Sequence, residues 1–130
     1  MLRASLLLLT KSIRPFRTIS VLRLILPTSA SLWTAVQSRA NSEESVKSVI
    51  DGIGDFLKSE NPDIILIEEV DKKATRSYHY DQEEALRGKL DGYDSMFTVN
   101  FDSPYLFYPI IKPHGKSYAG MLTLSKFNIE

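Results

Sequence analysis

Three carboxylates crowd the end of the stretch "NPDIILIEEVD", where Glu68, Glu69 and Asp71 follow the apolar run Ile64 to Ile67. Oxygen ligands at the end of a buried strand suit magnesium, which binds through one or two carboxylates and keeps several waters. On a regular strand Glu69 and Asp71 face one side and Glu68 the other, so the three do not make one cluster. Glu69, at the carboxyl end, is the candidate metal ligand. By spacing alone a solvated strand end is the simpler account, because a single carboxylate makes a weak site.

Other residues with chemical potential fail on spacing. "HGKS" (His114 to Ser117) is similar to the end of a phosphate-binding loop, but the pattern needs a glycine five residues before Gly115, and Ile110 stands there. His79 and Glu83 have helical spacing without the second histidine of a zinc motif. His114, between Pro113 and Gly115, suits a turn. Phe101, Tyr105, Phe107 and Tyr108 could stack on bases, although sheet packing accounts for them more cheaply. The absence of cysteine excludes disulfides, thiolate catalysis and cysteine-bound zinc.

These residues must be positioned by elements the pattern makes visible. Asn41 or Ser42 can cap a helix whose first turn carries Glu43 and Glu44. Val46, Val49, Ile50, Ile53, Phe56 and Leu57 then recur at helical spacing until Asn61-Pro62. Asp63 to Val70 reads as a strand buried on both faces. Asp81 to Tyr93 is a second helix with a thin stripe of Ala85, Leu86 and Leu90, stopped at Gly92. "SMFTVNF" and "YLFYPII" read as two strands, the second pushed to an edge or strand end by Pro109. Tyr118 to Phe127 is another buried strand, in which Gly120 marks a close backbone approach. The expected order is helix, strand, helix and three strands.

A length of 130 residues with 43% hydrophobic content suits one ordinary domain. The formal charge of zero hides a split: residues 1–42 hold six basic residues and no acid, and the remainder carries a net charge of −6. A net-acidic body has no general attraction for nucleic acid phosphates, so phosphate chemistry there needs a metal or a local basic pocket. No stretch approaches the roughly 18 apolar residues of a spanning helix. Residues 1–36, rich in Arg and Ser and free of acids, have the composition of an organellar transit peptide.

The blocks "NPDIILIEEVD", "TRS", "LDGY", "VNFDSPYLFYP" and "HGKSYAGMLTLSKFNI" come in an order and spacing that resembles the first half of the endonuclease/exonuclease/phosphatase superfamily. The match runs over roughly residues 38–130 and is nearest to a bacterial branch of that family. The resemblance implies an α+β chain, a partial four-layer α/β/β/α sandwich, comprising the first half of the domain in residues 37–130. It implies metal-assisted phosphoester hydrolysis with Mg2+ or Mn2+ as cofactor, and Glu69 matches the family's metal-binding glutamate. Glu68 stands where the family has Gln, which adds negative charge beside the metal. Tyr118 matches a tyrosine that contacts the scissile phosphate in apurinic-site endonucleases, and Arg76 and Asn100 match positions with substrate-pocket roles. The substrate would be a phosphoester, whether nucleic acid, lipid head group or small phosphate ester, since this fold hosts all three. The family's Asp-x-Asn and Asp-His motifs are missing from residues 1–130.

The family also has a first strand ahead of "SRA", and residues 1–36 do not match it. Read in another frame, codons permitted for Arg17 to Val36 yield "YNIGFAAYTPDFSFFMDGG", the type of segment that branch carries. The Asp encoded across Trp33-Thr34 is forced by the code. Residues 1–36 are therefore expected to be an out-of-frame, non-homologous and poorly ordered segment, and the half domain to be poorly soluble and inactive. Three function classes remain open: the inactive fragment of a phosphoesterase, a noncatalytic binding module, and a small organelle-imported protein with residues 1–36 as its address.

Overall fold

A computed structural model describes residues 8–13, 16–21, 39–107, 110, 111, 113 and 115–130. Tyr108, Pro109 and His114 of the sequence argument lie outside the described residues. Among those described, the chain forms an α+β fold with two helices on one open, mixed sheet. The elements are β1 (Leu8–Ile13), β2 (Phe16–Val21), α1 (Glu43–Glu60), β3 (Ile64–Asp71), α2 (Gln82–Lys89), β4 (Asp94–Leu106) and β5 (Gly115–Ser125). A single 3-10 turn, Thr75–Ser77, lies between β3 and α2.

The sheet order is β1-β2-β3-β5-β4. Its mixed body is β2-β3-β5-β4, in which β2 runs parallel to β3 and the other two contacts are antiparallel. β1 adds an antiparallel edge through a hairpin to β2. Two stretches of the segment read as out of frame are thus strands, and Ile19 of β2 enters the core opposite Ile65.

α1 begins where its chemistry dictates. The Ser45 amide donates to Ser42 Oγ at 3.1 Å and the Ser42 amide donates to Ser45 Oγ at 3.2 Å, so two otherwise orphan donors are satisfied reciprocally. It stops at Asn61, which adopts the left-handed conformation (φ 46°) and donates its amide to the Leu57 carbonyl at 3.0 Å. Pro62 follows and cannot extend the helix. Val46, Ile50, Ile53 and Leu57 pack with Leu86 of α2 and with Leu90, which follows it, onto Ile65, Ile67, Leu122 and Leu124. At Gly54 the Lys89 stem crosses where a side chain would stand, and Lys89 Nζ donates to Asp55 Oδ1 at 2.7 Å. Among the described residues no helix is long and apolar enough to cross a membrane.

Four expectations need correction. β3 is not buried on both faces: Ile65 and Ile67 are covered by the helices, while Ile64 and Leu66 are half-buried on the other face. The second helix ends at Lys89, capped by Leu90, rather than reaching Tyr93. The two segments "SMFTVNF" and "YLFYPII" are not separate strands, because β4 runs unbroken from Asp94 to Leu106. Pro104 is tolerated inside it because β4 is an edge strand and one side of its backbone has no ladder to supply. Among the described residues two strands, not three, therefore follow α2. Gly120 does mark a close approach, since a Cβ there would lie 2.8 Å from the Phe97 ring and collide with the Thr98 carbonyl.

Candidate functional site

The carboxyl end of β3 is where backbone geometry departs from a plain ladder. Ile67 pairs with Leu122 and Val70 with Gly120, so Glu68 and Glu69 together oppose the single residue Met121. This bulge lets Val70 rejoin Ile65 and Ile67 in the core and displaces both glutamates from the pairing. Glu69 takes φ 54°, the left-handed region that costs a residue with a Cβ about 1 kcal/mol or more. The strict alternation expected for Glu68, Glu69 and Asp71 is therefore wrong, because the extra residue resets the period of two.

Asp71 pairs with Ala119 beyond the bulge and is 1% exposed. Its carboxylate accepts from Arg76 Nε at 2.9 Å and from Arg76 Nη2 at 2.8 Å, a two-point contact. Its amide donates to Gln82 Oε1 at 2.9 Å, which docks the first turn of α2 onto the strand end. Burial works against the Arg76 charge, but the Asp71 hydrogen bonds and the charges of Asp71 and Glu69 outweigh it and raise its pKa above the usual value. Arg76 thus stands within the field of both Asp71 and Glu69.

Three loops meet at this end. The Ala40 amide donates to the Arg76 carbonyl at 2.9 Å, and Tyr78 Oη donates to the Ala40 carbonyl at 3.2 Å. Arg39 Nε donates to the Pro113 carbonyl at 3.1 Å, and the Lys116 amide donates to Thr75 Oγ1 at 3.0 Å. Tyr78 and His79 are both left-handed, at φ 57° and 59°, so the turn after Arg76 holds two further costly conformations in succession.

Of the residues singled out from sequence, Glu69 and Arg76 are brought together electrostatically. Tyr118 lies on β5 opposite Asp102 and accepts the Lys72 amide on its carbonyl at 2.9 Å. Asn100 is exposed at a second bulge, between Val99, which faces Gly120, and Phe101, which faces Ala119. With β5 between them, β4 and β3 lie two strand spacings apart, roughly 10 Å. The arrangement is one strand end with Glu69, Asp71 and Arg76, and a neighbouring pair of positions across the sheet.

Sequence reasoning missed the partnership of Asp71 with Arg76, the docking role of Gln82, and the ion pairs of Glu83. Glu83 is buried, with Lys72 Nζ at 2.5 Å and Arg87 Nη1 at 3.1 Å. Among the described residues, no three His, Asp or Glu side chains gather in a metal-holding group. A shallow cleft of about 470 Å³ lies between the end of α2 and the start of β4, lined by residues including Arg87, Leu90 and Tyr93. Asp94 pairs with Ser125, as does Ile64 at the opposite end of β3, so this cleft lies away from Glu69. Comparison with protein-family models, curated proteins and solved structures found no significant match.

Proposed function

We propose that this chain carries the amino-terminal part of a divalent-metal-dependent phosphoesterase of the endonuclease/exonuclease/phosphatase type and does not turn over substrate by itself. The observation that carries the proposal is Glu69, held in a left-handed conformation on a bulge at a strand's carboxyl end, beside the Arg76 charge. Backbone strain is retained where the surrounding structure has a use for it, and a bulge is a common device for aiming a side chain out of a ladder. The ordered sequence blocks supply the reaction class.

In that function Mg2+ or Mn2+ would be held in part by Glu69, and the metal would polarise a phosphoryl oxygen. Arg76, fixed by Asp71 through Nε and Nη2, would bring a preoriented positive charge to an anionic ester. Tyr118 and Asn100, across the sheet, would border the substrate. The architecture proposed is the first half of a four-layer sandwich. One face of its sheet is covered by α1 and α2, and the other carries Leu66 half-buried and Met96 and Met121 exposed. Without Asp-x-Asn and Asp-His sequences in these residues, no group is assigned to activate the attacking water.

The test joins metal binding to turnover. Mn2+ binding followed by electron paramagnetic resonance should weaken in Glu69→Gln, and hydrolysis of bis-p-nitrophenyl phosphate should stay at background in both proteins. Equal Mn2+ binding by the two proteins would remove Glu69 from the site. Metal-dependent hydrolysis abolished by Glu69→Gln would refute the inactivity of the chain.

A further inference from the structure

The sheet ends in two edges of opposite charge. Among the described residues neither β1 nor β4 has a strand on its outer side. β4 is 13 residues long and exposes Met96, Val99, Phe101, Tyr105 and Leu106. A long apolar edge presents a row of backbone donors and acceptors, and the partner that satisfies them is another strand. Direction and register identify that strand. β1 runs antiparallel to β2, β2 parallel to β3, and β5 antiparallel to both β3 and β4, so β1 and β4 run in opposite directions at the two ends of the sheet. A second copy displaced sideways along the sheet brings its β1 antiparallel to β4, the more stable form of ladder.

One row of register partners crosses the sheet as Lys11, Thr18, Ile64, Ser125 and Asp94. Continued into the next copy, that row sets Lys11 opposite Asp94, Leu9 opposite the exposed Met96, and Leu8 opposite Phe97. Ser12 then arrives beside Tyr93, at the cleft of about 470 Å³ next to the start of β4. Charge selects the same pairing. Residues 1–42 contain no acid, whereas Asp91 to Ile111 contains three Asp and no Lys, Arg or Glu. Asp94 accepts the Ile129 amide at 2.7 Å and the Ser95 amide at 2.9 Å, which holds its carboxyl below the usual range and keeps it charged at neutral pH. Pairing β4 with β4 would set acids against acids, and β1 with β1 lysine against lysine. Opposite charges directly across an antiparallel pair stabilise it, and like charges destabilise it.

We propose that copies of this chain add head to tail, β1 of one pairing antiparallel with β4 of the next in the register that sets Lys11 opposite Asp94. The interface is heterologous, so every added copy presents a fresh edge of each kind and the series does not stop at a dimer. The contact lies at the start of β4, away from Glu69, and it stands whether or not the chain handles a phosphoester.

The experiment is analytical ultracentrifugation of the full chain over a range of concentrations, in which the average mass should climb past that of a dimer. Lys11→Glu or Asp94→Lys alone should weaken association by about 5-fold or more, because an attractive cross-strand pair becomes a repulsive one. An equal mixture of the two variants should regain the parent's association, since alternating copies then meet opposite charges at every junction; recovery on mixing also shows that both variants are folded. Register is read by crosslinking, as the chain has no cysteine of its own. Within one copy positions 9 and 96 are four strand spacings apart, roughly 19 Å, too far for a disulfide. Oxidised Leu9→Cys/Met96→Cys should therefore give a ladder of covalent multimers, and Leu9→Cys/Asn100→Cys, four residues out of register, should not. A monomer at all concentrations, a dimer that does not grow, single charge variants that associate as the parent does, a mixture that regains nothing, or equal crosslinking of the two cysteine variants would overturn the proposal.

Discussion

Replacing Arg76 by Met removes the cation from a carboxylate that has almost no contact with water. Asp71 is 1% exposed, and its carboxylate accepts from both Nε and Nη2 of Arg76, at 2.9 and 2.8 Å. Breaking a buried pair by deleting one partner costs about 3–5 kcal/mol, because the remaining charge is left without compensation. Arg76 is itself partly exposed, its side chain 26% accessible, so water can reach the gap and the lower end, about 3 kcal/mol, is the expected loss. With an m-value of about 1–2 kcal/mol per molar urea, the denaturation midpoint should fall by roughly 1.5–3 M. Asp71→Asn in the same background should restore much of the loss, because a neutral amide carries no unpaired charge. Urea titrations of the four proteins of this double-mutant cycle, followed by circular dichroism, measure the coupling. An Arg76→Met loss below about 1 kcal/mol at neutral pH would refute the account of a desolvated pair.

Gly120→Ala should destabilise by about 2 kcal/mol or more in thermal melts, because its Cβ would meet the Thr98 carbonyl of the neighbouring strand, and backbone cannot yield as a flexible side chain can. Ser42→Ala should cost about 1 kcal/mol by removing the cap of α1. At Glu69, Gly should leave a chain more stable than Val by at least about 1 kcal/mol, since only Gly enters φ 54° without strain and a β-branched residue does so worst. For Glu83, burial pushes the pKa up, but hydrogen bonds from Lys72 and Arg87 outweigh it and hold the value below the ordinary 4.5. Its folded pKa is thus depressed, so its contribution is present above 4.5 and is lost as pH falls through the lower folded value. The stability of Glu83→Gln should therefore fall less steeply than that of the parent over the acid limb, as read from urea midpoints at successive pH values.

What could be read from the sequence was local. α1 was visible from both ends, because its apolar face, its acidic first turn and its Asn61-Pro62 stop act within a few residues of one another. β3 and the close approach at Gly120 were visible for the same reason. The length of β4 was not, since Pro104 reads as a break until the strand is known to lie at an edge, which is a property of sheet order. The bulge at Glu68-Glu69 carries no glycine to announce it; it arises because Val70 must return to the core face while Gly120 on β5 fixes the register. The pairing of Asp71 with Arg76 depends on the 3-10 turn that folds residue 76 back over the strand end, so five residues of spacing gave no sign of it. Glu69 was singled out by position at a strand end, and its conformation was beyond the reach of pattern.

The distribution of strain separates the two ends of the sheet. At the amino end of β3, Asn61 is left-handed as the cap of α1, and the other devices are ordinary stabilisers: the Asp63 carboxylate accepts the Arg17 amide and the Lys126 ammonium, and Tyr93 Oη donates to the Pro62 carbonyl. At the carboxyl end, Glu69, Tyr78 and His79 all hold left-handed conformations and a charge pair is desolvated, each costing free energy that an extended Glu69 or an apolar pair in place of Asp71 and Arg76 would save. Packing of α1 and α2 against Ile65, Ile67, Leu122 and Leu124 offsets that cost without requiring it. Among the described residues, three of the four left-handed non-glycine residues lie at the strand end that carries Glu69, and the fourth, Asn61, caps α1 near the other end; the function proposed above gives that concentration a use, in aiming a carboxylate and a guanidinium at one ligand.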